Sequence, residues 1–205
     1  MLDLFHAPGS CSLGIRVILE EIGAPYALHQ IDLAKGEQRG EAYRRLNPKG
    51  KVPALRLPDG TVLTEFQAIA FWLAQSHPWA ALLPAGIEAQ ARACEALDFM
   101  VGSLHMRGFT LALVPGKFVT DPQAQAELRA HGLTVAAEGL AHLAQVMGDA
   151  DWLLGDYGIA DAALFYLISW AERAGMALPE NLAGFHRRML ARPAVQRALE
   201  PASAG

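Results

Sequence analysis

Asn47-Pro48-Lys49-Gly50-Lys51-Val52-Pro53-Ala54-Leu55 decides the fold, and Leu63-Thr64-Glu65 closes it a few residues later. A Pro- and Gly-bearing turn feeds a short strand that begins with Val-Pro. Proline has no N–H to give to a ladder, so within a strand-like run it sits at a strand start, an edge or a bulge. If the Val52-Pro53 bond is cis, the chain turns sharply there and leaves the N–H and C=O of Val52 unpaired. An extended peptide could then pair with them as an added strand.

Outward from that stretch, residues 1–76 mix two kinds of periodicity. Residues 2–6 read as a short strand, Pro8-Gly9-Ser10 as a turn, and 13–22 as a helix, with Gly23 as its C-cap and Pro25 just beyond. Residues 26–33 read as a second strand and 41–46 as a short helix. Residues 52–57 and 61–63 flank Pro58-Asp59-Gly60, a hairpin signal. Residues 65–75 are amphipathic, with Ile69, Trp72 and Leu73 on one side. The order βαβ-ββα predicts an α/β layer with a mixed sheet. From about residue 87 strand signals cease, and 88–109, 122–147, 159–174 and 181–199 read as helices. The expectation is an α/β domain over 1–76, a Pro-bearing linker over 77–86 and an all-helical domain over 87–205. Residues 201–205 read as a frayed tail.

Composition narrows the function. The chain has 205 residues, 52% hydrophobic and 19% charged, with a formal net charge of −4. Acidic balance without clustered Lys or Arg argues against a nucleic-acid partner. Apolar runs stop well short of a membrane span, and the N-terminus lacks the basic and apolar regions of a signal peptide. Two cysteines, Cys11 and Cys94, make no disulfide framework and read as reduced thiols in a cytoplasmic protein. The seven histidines are scattered without metal-ligand spacing, and no Gly-rich phosphate loop follows a strand, so neither a metal nor a nucleotide is expected.

Cys11 stands where the first helix begins. Unpaired N–H groups and the helix dipole there favour a thiolate. No second cysteine follows in Cys11-Ser12-Leu13-Gly14, which argues against a two-cysteine redox motif. The alternative is a small buried hydrophobe. Ser10 reads as the N-cap of that helix, and Glu65 as a first-turn acid favoured by the dipole.

Pro8-Gly9-Ser10-Cys11-Ser12-Leu13, the 47–55 stretch, Leu63-Thr64-Glu65, Leu104-His105, and Trp152-Leu153-Leu154-Gly155 before Ile159-Ala160-Asp161 occur in an order and spacing that resemble the cytosolic glutathione transferases. The similarity is greatest to the bacterial beta class and covers nearly the whole chain. It implies a thioredoxin-like glutathione-binding domain, a helical domain lining a second-substrate pocket, and a homodimer acting in detoxification. Glutathione is the implied co-substrate and a small electrophile the implied partner.

The resemblance also implies roles. Cys11 and His105 would be catalytic, facing the glutathione sulfur from opposite sides. Ser10 or Ser12 could donate to the thiolate. Val52 and Pro53 would carry the tripeptide backbone, Glu65 the ligand ammonium, and the N–H of Phe66 its carboxylate. Relatives usually have Ser at position 66, so Phe66 loses a hydroxyl and its ring could crowd the site. Lys35 and Lys51 would lie near the glycine end. Asp98, seven residues before His105 and so two helical turns away on one face, would reach a neighbouring subunit's ligand. Phe109, Leu113 and Trp170 would wall the second-substrate pocket. His6, where relatives have Tyr, would line that pocket or simply end a strand. Gly158 with Asp161 reads as a folding signal. Phe66 and His6 also leave open a non-catalytic transferase-like binding or regulatory protein, since fold does not fix function.

Overall fold

The structure, a computed structural model, describes residues 1–201; of the stretch read as a frayed tail, 202–205 lie outside the described residues. By contact the chain divides into two compact units, Met1–Leu83 with the residues from Leu190 on, and Pro84–Met189.

In the first unit, β1 (Leu2–His6) alternates so that Leu2, Leu4 and His6 are buried and Asp3 and Phe5 face outward, the period-two pattern of a strand with one core face. It pairs in parallel with β2 (Tyr26–Gln30), Leu4 opposite Leu28, and antiparallel with β3 (Ala54–Arg56), Leu4 opposite Leu55. β4 (Val62–Thr64) pairs antiparallel with β3, completing the order β2-β1-β3-β4. The parallel pair is joined by α1 (Ser12–Ile22), the crossover that a parallel connection needs. Gly23 closes α1 at φ 69°, its N–H donating to the Leu19 carbonyl at 3.1 Å. The β3–β4 hairpin turns through Asp59 and Gly60, with the Thr61 N–H donated to Asp59 Oδ1 at 2.9 Å. This is the mixed sheet that the βαβ-ββα order predicts, and the thioredoxin-like one that the resemblance implies.

α2 (Glu41–Leu46) and α3 (Phe66–Ser76) complete the α/β layer. Phe66, Ile69, Ala70, Leu73 and Ala74 make the buried stripe of α3, the i, i+3, i+4, i+7 spacing of a helix face set on a core. Within the same unit α9 (Pro193–Leu199) packs along α1. The Arg16 guanidinium donates to the carbonyls of Arg197 and Glu200 at 3.1 and 2.8 Å, and Arg192 clamps Glu21 with two bonds of 2.7 and 3.0 Å. A cation on the last carbonyls of a helix satisfies groups that the helix cannot pair itself. By contact, then, residues from Leu190 on group with the first unit, a grouping that reading 87–205 as one helical domain does not contain.

The single helix expected over 181–199 is two, α8 (Glu180–Ala191) and α9. Pro193 sits at the first turn of α9 and Arg192 is extended at ψ 130°, because a residue before proline is driven out of the α region.

In the second unit, α4 (Ile87–Asp98) runs into a π-helical stretch, Phe99–Phe109, and then α5 (Thr110–Leu113). α6 (Pro122–Met147) is capped by Asp121, whose Oδ2 accepts the Ala124 N–H at 2.7 Å. α7 (Ile159–Arg173) is buried along most of its length. At its start the Asp161 carboxylate accepts the N–H groups of Gly158 and Leu153 at 2.8 and 2.9 Å, which makes this motif part of the fold.

Candidate functional site

The chain leaves β1 at His6 and turns through Gly9, at φ 70°, before entering α1. Ser10 Oγ accepts the Ser12 N–H at 3.2 Å, serving one of the orphan donors at the helix start. Cys11 holds the N-cap position and is buried. Its thiol donates to the Val52 carbonyl over 3.6 Å, so this carbonyl already has a weak partner. The Val52–Pro53 peptide bond is cis.

The expected thiolate is not favoured here. Burial pushes the Cys11 thiol up to about 12, and the charge of Glu65 adds to that. Backbone N–H groups of Cys11 and Ser12, and Lys51, pull the other way and lose. Desolvation of a sulfur anion outweighs the helix-terminus field when the atom is enclosed.

The loop that presents Val52 is held by Asn47 and Gly50 of the stretch that decides the fold, and by Tyr43, which the sequence reading did not single out. Asn47, almost fully buried, donates from Nδ2 to the Lys51 carbonyl at 2.8 Å and accepts the Lys49 N–H at 3.1 Å. Tyr43 Oη donates to the same Lys51 carbonyl at 2.7 Å. Gly50 has φ 61°, and a Cβ there would stand 3.0 Å from the Gln38 carbonyl oxygen. The available signal was the Asn-Pro-x-Gly composition, since Asn side chains bond backbone two residues on.

Glu65 begins α3 at φ 73°, ψ 130°, outside the ordinary regions for a residue with a Cβ. Its Oε1 receives Lys49 Nζ at 2.6 Å, and the same ammonium donates to Thr64 Oγ1 at 2.9 Å. Phe66 is buried on the core stripe of α3. Lys51 is exposed, and Lys35 lies on the loop after β2, 3.4 Å from Asp32 Oδ2. The first unit thus gathers Ser10, Cys11, Val52, Pro53 and Glu65 around two helix starts, while Lys35 stands on a separate loop.

His6 is buried at the end of β1, with Nδ1 2.8 Å from Ser12 Oγ. Burial, with the positive charge of Arg16 nearby, pushes its imidazole down to about 4. It is the last residue of β1, on the buried face of that strand.

In the second unit His105 is half-buried, its ring 4.7 Å from that of Trp170 and 5.8 Å from that of Tyr166, both edge-on. Its Nδ1 lies 3.3 Å from Tyr166 Oη. Phe109 meets Trp170 at 5.9 Å. His105, Phe109 and Trp170 therefore share one aromatic cluster, with Tyr166 added to it and Leu113 half-buried in α5. Asp98 is exposed. The residues between Asp98 and His105 are π-helical, so the expectation of two α-turns on one face fails. The Thr110 N–H bonds the His105 carbonyl five residues back, and such wider turns do not close in 3.6 residues. Among the described residues, no cluster of His, Cys, Asp or Glu could hold a metal, and no helix is long and apolar enough to cross a membrane.

The N-terminal-domain family of glutathione S-transferases matches residues 9–76. Glutathione S-transferase GstA of Escherichia coli O157:H7 is 37% identical over 206 residues, covering 97% of each chain. The chain belongs to the glutathione transferase family. The glutathione transferase homologue from Sulfitobacter, solved with bound glutathione, superposes at TM-score 0.89 with 28% identity over 96% of each chain. The beta-class enzyme of Sphingomonas chungbukensis does so at 0.84, with 31% identity and 96% coverage of each. Bacterial beta-class enzymes are thus among this transferase's relatives, as the motif order predicts.

Proposed function

We propose that this transferase binds glutathione along the Val52 edge and joins its sulfur to small electrophiles. The observation that carries the reading is the meeting of the Cys11 thiol with the Val52 carbonyl at 3.6 Å. It sets a sulfur-facing group beside a backbone segment suited to an extended tripeptide. In this reading Ser10, Val52, Pro53, Glu65 and the start of α3 at Phe66 hold the γ-glutamyl and cysteinyl parts. Lys35 and Lys51 attract the glycyl carboxylate, and Asp98 serves a partner subunit's ligand. His105, Phe109, Leu113 and Trp170 receive the second substrate. The protein works as a cytoplasmic homodimer in detoxification.

A neutral Cys11 suits a hydrogen-bond donor to the glutathione thiolate better than a nucleophile. The glutathione thiol releases its proton to water. The thiolate then attacks an electrophilic carbon, a C–S bond forms, and a leaving group such as halide departs with the bonding pair. Thiol–disulfide exchange through Cys11 is the secondary chemistry: the Cys11 thiol gives up its proton as its sulfur attacks the glutathione sulfur of a mixed disulfide, the other sulfur leaves and takes up a proton, and a second glutathione thiol then displaces the Cys11 sulfur.

Retention on immobilised glutathione, followed by thioether formation from an aryl halide, tests the reading. Retention with turnover is expected, and Cys11→Ala keeps conjugation while losing disulfide reduction. No retention and no turnover rejects the transferase in favour of a non-catalytic module.

A further inference from the structure

His6, Ser12 and Ser10 form a continuous chain of side chains from the core of the first unit outward. His6 and Ser12 are buried and Ser10 is half-buried. Ser12 Oγ lies 2.8 Å from His6 Nδ1 and 2.6 Å from Ser10 Oγ. Two backbone donors enter the chain as well. The Ala7 N–H reaches Ser12 Oγ at 3.1 Å, and the Ser12 N–H reaches Ser10 Oγ at 3.2 Å. The Ala7 carbonyl, 3.3 Å from Ser12 Oγ, is the longer alternative acceptor.

A hydroxyl has one proton and two lone pairs, so the short contacts close in two ways. If His6 carries its proton on Nδ1, it donates to Ser12. Ser12 has then filled both lone pairs, with Ala7 N–H and His6, and donates to Ser10. Ser10 in turn has filled both lone pairs, from the Ser12 hydroxyl and the Ser12 N–H, and its own proton is the only group left to give. If His6 carries its proton on Nε2, every hydroxyl reverses, and Ser10 shows a lone pair instead. The imidazole tautomer therefore decides whether the turn before Cys11 offers a donor or an acceptor.

This step rests on the transferase reading, which sets the glutathione sulfur beside Cys11. On that basis we infer that His6 is a positioning residue which, protonated at Nδ1 and acting through Ser12, aims the Ser10 hydroxyl at the glutathione thiolate. A donor fixed before ionisation stabilises the developing anion without reorganising. His6 is not the base that takes the thiol proton. It is enclosed, Arg16 of α1 is the charged group acting on it, and β2 sets Gln30 opposite it in register. It stays neutral, so its one proton gives the chain a single direction.

The test is the ultraviolet absorbance of the thiolate of protein-bound glutathione, titrated with pH. Ser10→Ala lowers the thiolate fraction at neutral pH by about tenfold, the worth of one hydrogen bond to a charged group. Ser10→Thr, which keeps the hydroxyl, restores it. His6→Phe shifts the titration the same way by a smaller factor, because Ser10 keeps its proton but loses its direction. The double variant behaves as Ser10→Ala alone. Nitrogen-15 spectra of the wild-type complex show the His6 proton on Nδ1, which needs no variant to fold. A proton on Nε2, or a titration unmoved by Ser10→Ala, overturns the inference while leaving the transferase standing. Absence of any thiolate band on the wild-type protein removes both.

Discussion

Around Cys11 the first unit fixes polar atoms with backbone hydrogen bonds, whereas around His105 the second unit holds an imidazole among ring edges. Ser10, Ser12, Asn47 and Tyr43 each bond main-chain groups, so their positions follow from turns that the sequence spells locally. His105 owes its surroundings to Tyr166 and Trp170, which lie on α7 and are distant in sequence. A turn-built site tolerates change in the packing beneath it. A packing-built site depends on how closely its helices approach.

The largest effect expected from that contrast is at a glycine. A Cβ on Gly132 of α6 would stand 2.5 Å from the Ala112 nitrogen and 2.6 Å from the Gly108 oxygen, both backbone atoms that cannot swing aside. Gly132→Ala is expected to cost about 3 kcal/mol, lowering the melting temperature by about 6–12 °C in a chain of this size. Gly50→Ala, in the loop of the first unit, faces a positive φ and one oxygen at 3.0 Å, and should cost about 1–2 kcal/mol. Thermal melts of the two variants measure the contrast directly. Equal losses would mean that the second unit is no more tightly set than a loop.

The acid limb of stability sharpens the comparison from the other side. His6 has its pKa pushed from 6.5 down to about 4 by burial. The unfolded chain therefore binds its proton first as pH falls, and stability drops with pH across that window. The contribution is complete above pH 6.5 and is lost on approach to pH 4, by about 2–3 kcal/mol. His6→Phe should flatten this limb, whatever its effect at neutral pH. Denaturant unfolding of both proteins at several pH values gives the comparison, and parallel curves would show that His6 is not enclosed.

How far the sequence carried follows the same division. The mixed sheet, the Gly23 cap and the Asp59-Gly60 hairpin were legible because turn chemistry and period-two burial act over a few residues. The bond of His6 to Ser12 was not legible, because a contact across a turn depends on side-chain direction. The π-helical stretch defeated the face assignment of Asp98 and His105. A period of 3.6 was assumed, and nothing in 99–109 announces wider turns. The break before α9 had a local sign in Pro193. Its packing on α1 had none, since Arg16 meets Arg197 and Glu200 across most of the chain. The thiolate expected at Cys11 failed because enclosure, unlike position at a helix start, cannot be read from neighbours in sequence.

The smallest expected effect isolates the one strained residue of the candidate site. Glu65 holds φ 73° with a Cβ, a conformation that costs on the order of 1–3 kcal/mol and that glycine adopts freely. Its ion pair with Lys49 is more than half exposed on both sides, and such pairs are worth about 1 kcal/mol or less. Glu65→Gly therefore removes more strain than attraction, less what glycine loses in chain entropy, and the folded state should gain up to about 1 kcal/mol. Glu65→Ala keeps the strain and loses the pair, so it should gain nothing. If the carboxylate receives the ligand ammonium, both variants lose glutathione affinity to the same degree although only one becomes more stable. Calorimetric titration beside thermal melting separates these outcomes. A Gly variant that is less stable than the Ala variant would show that the backbone at Glu65 is relaxed, and that no stability is withheld there for the sake of the ligand.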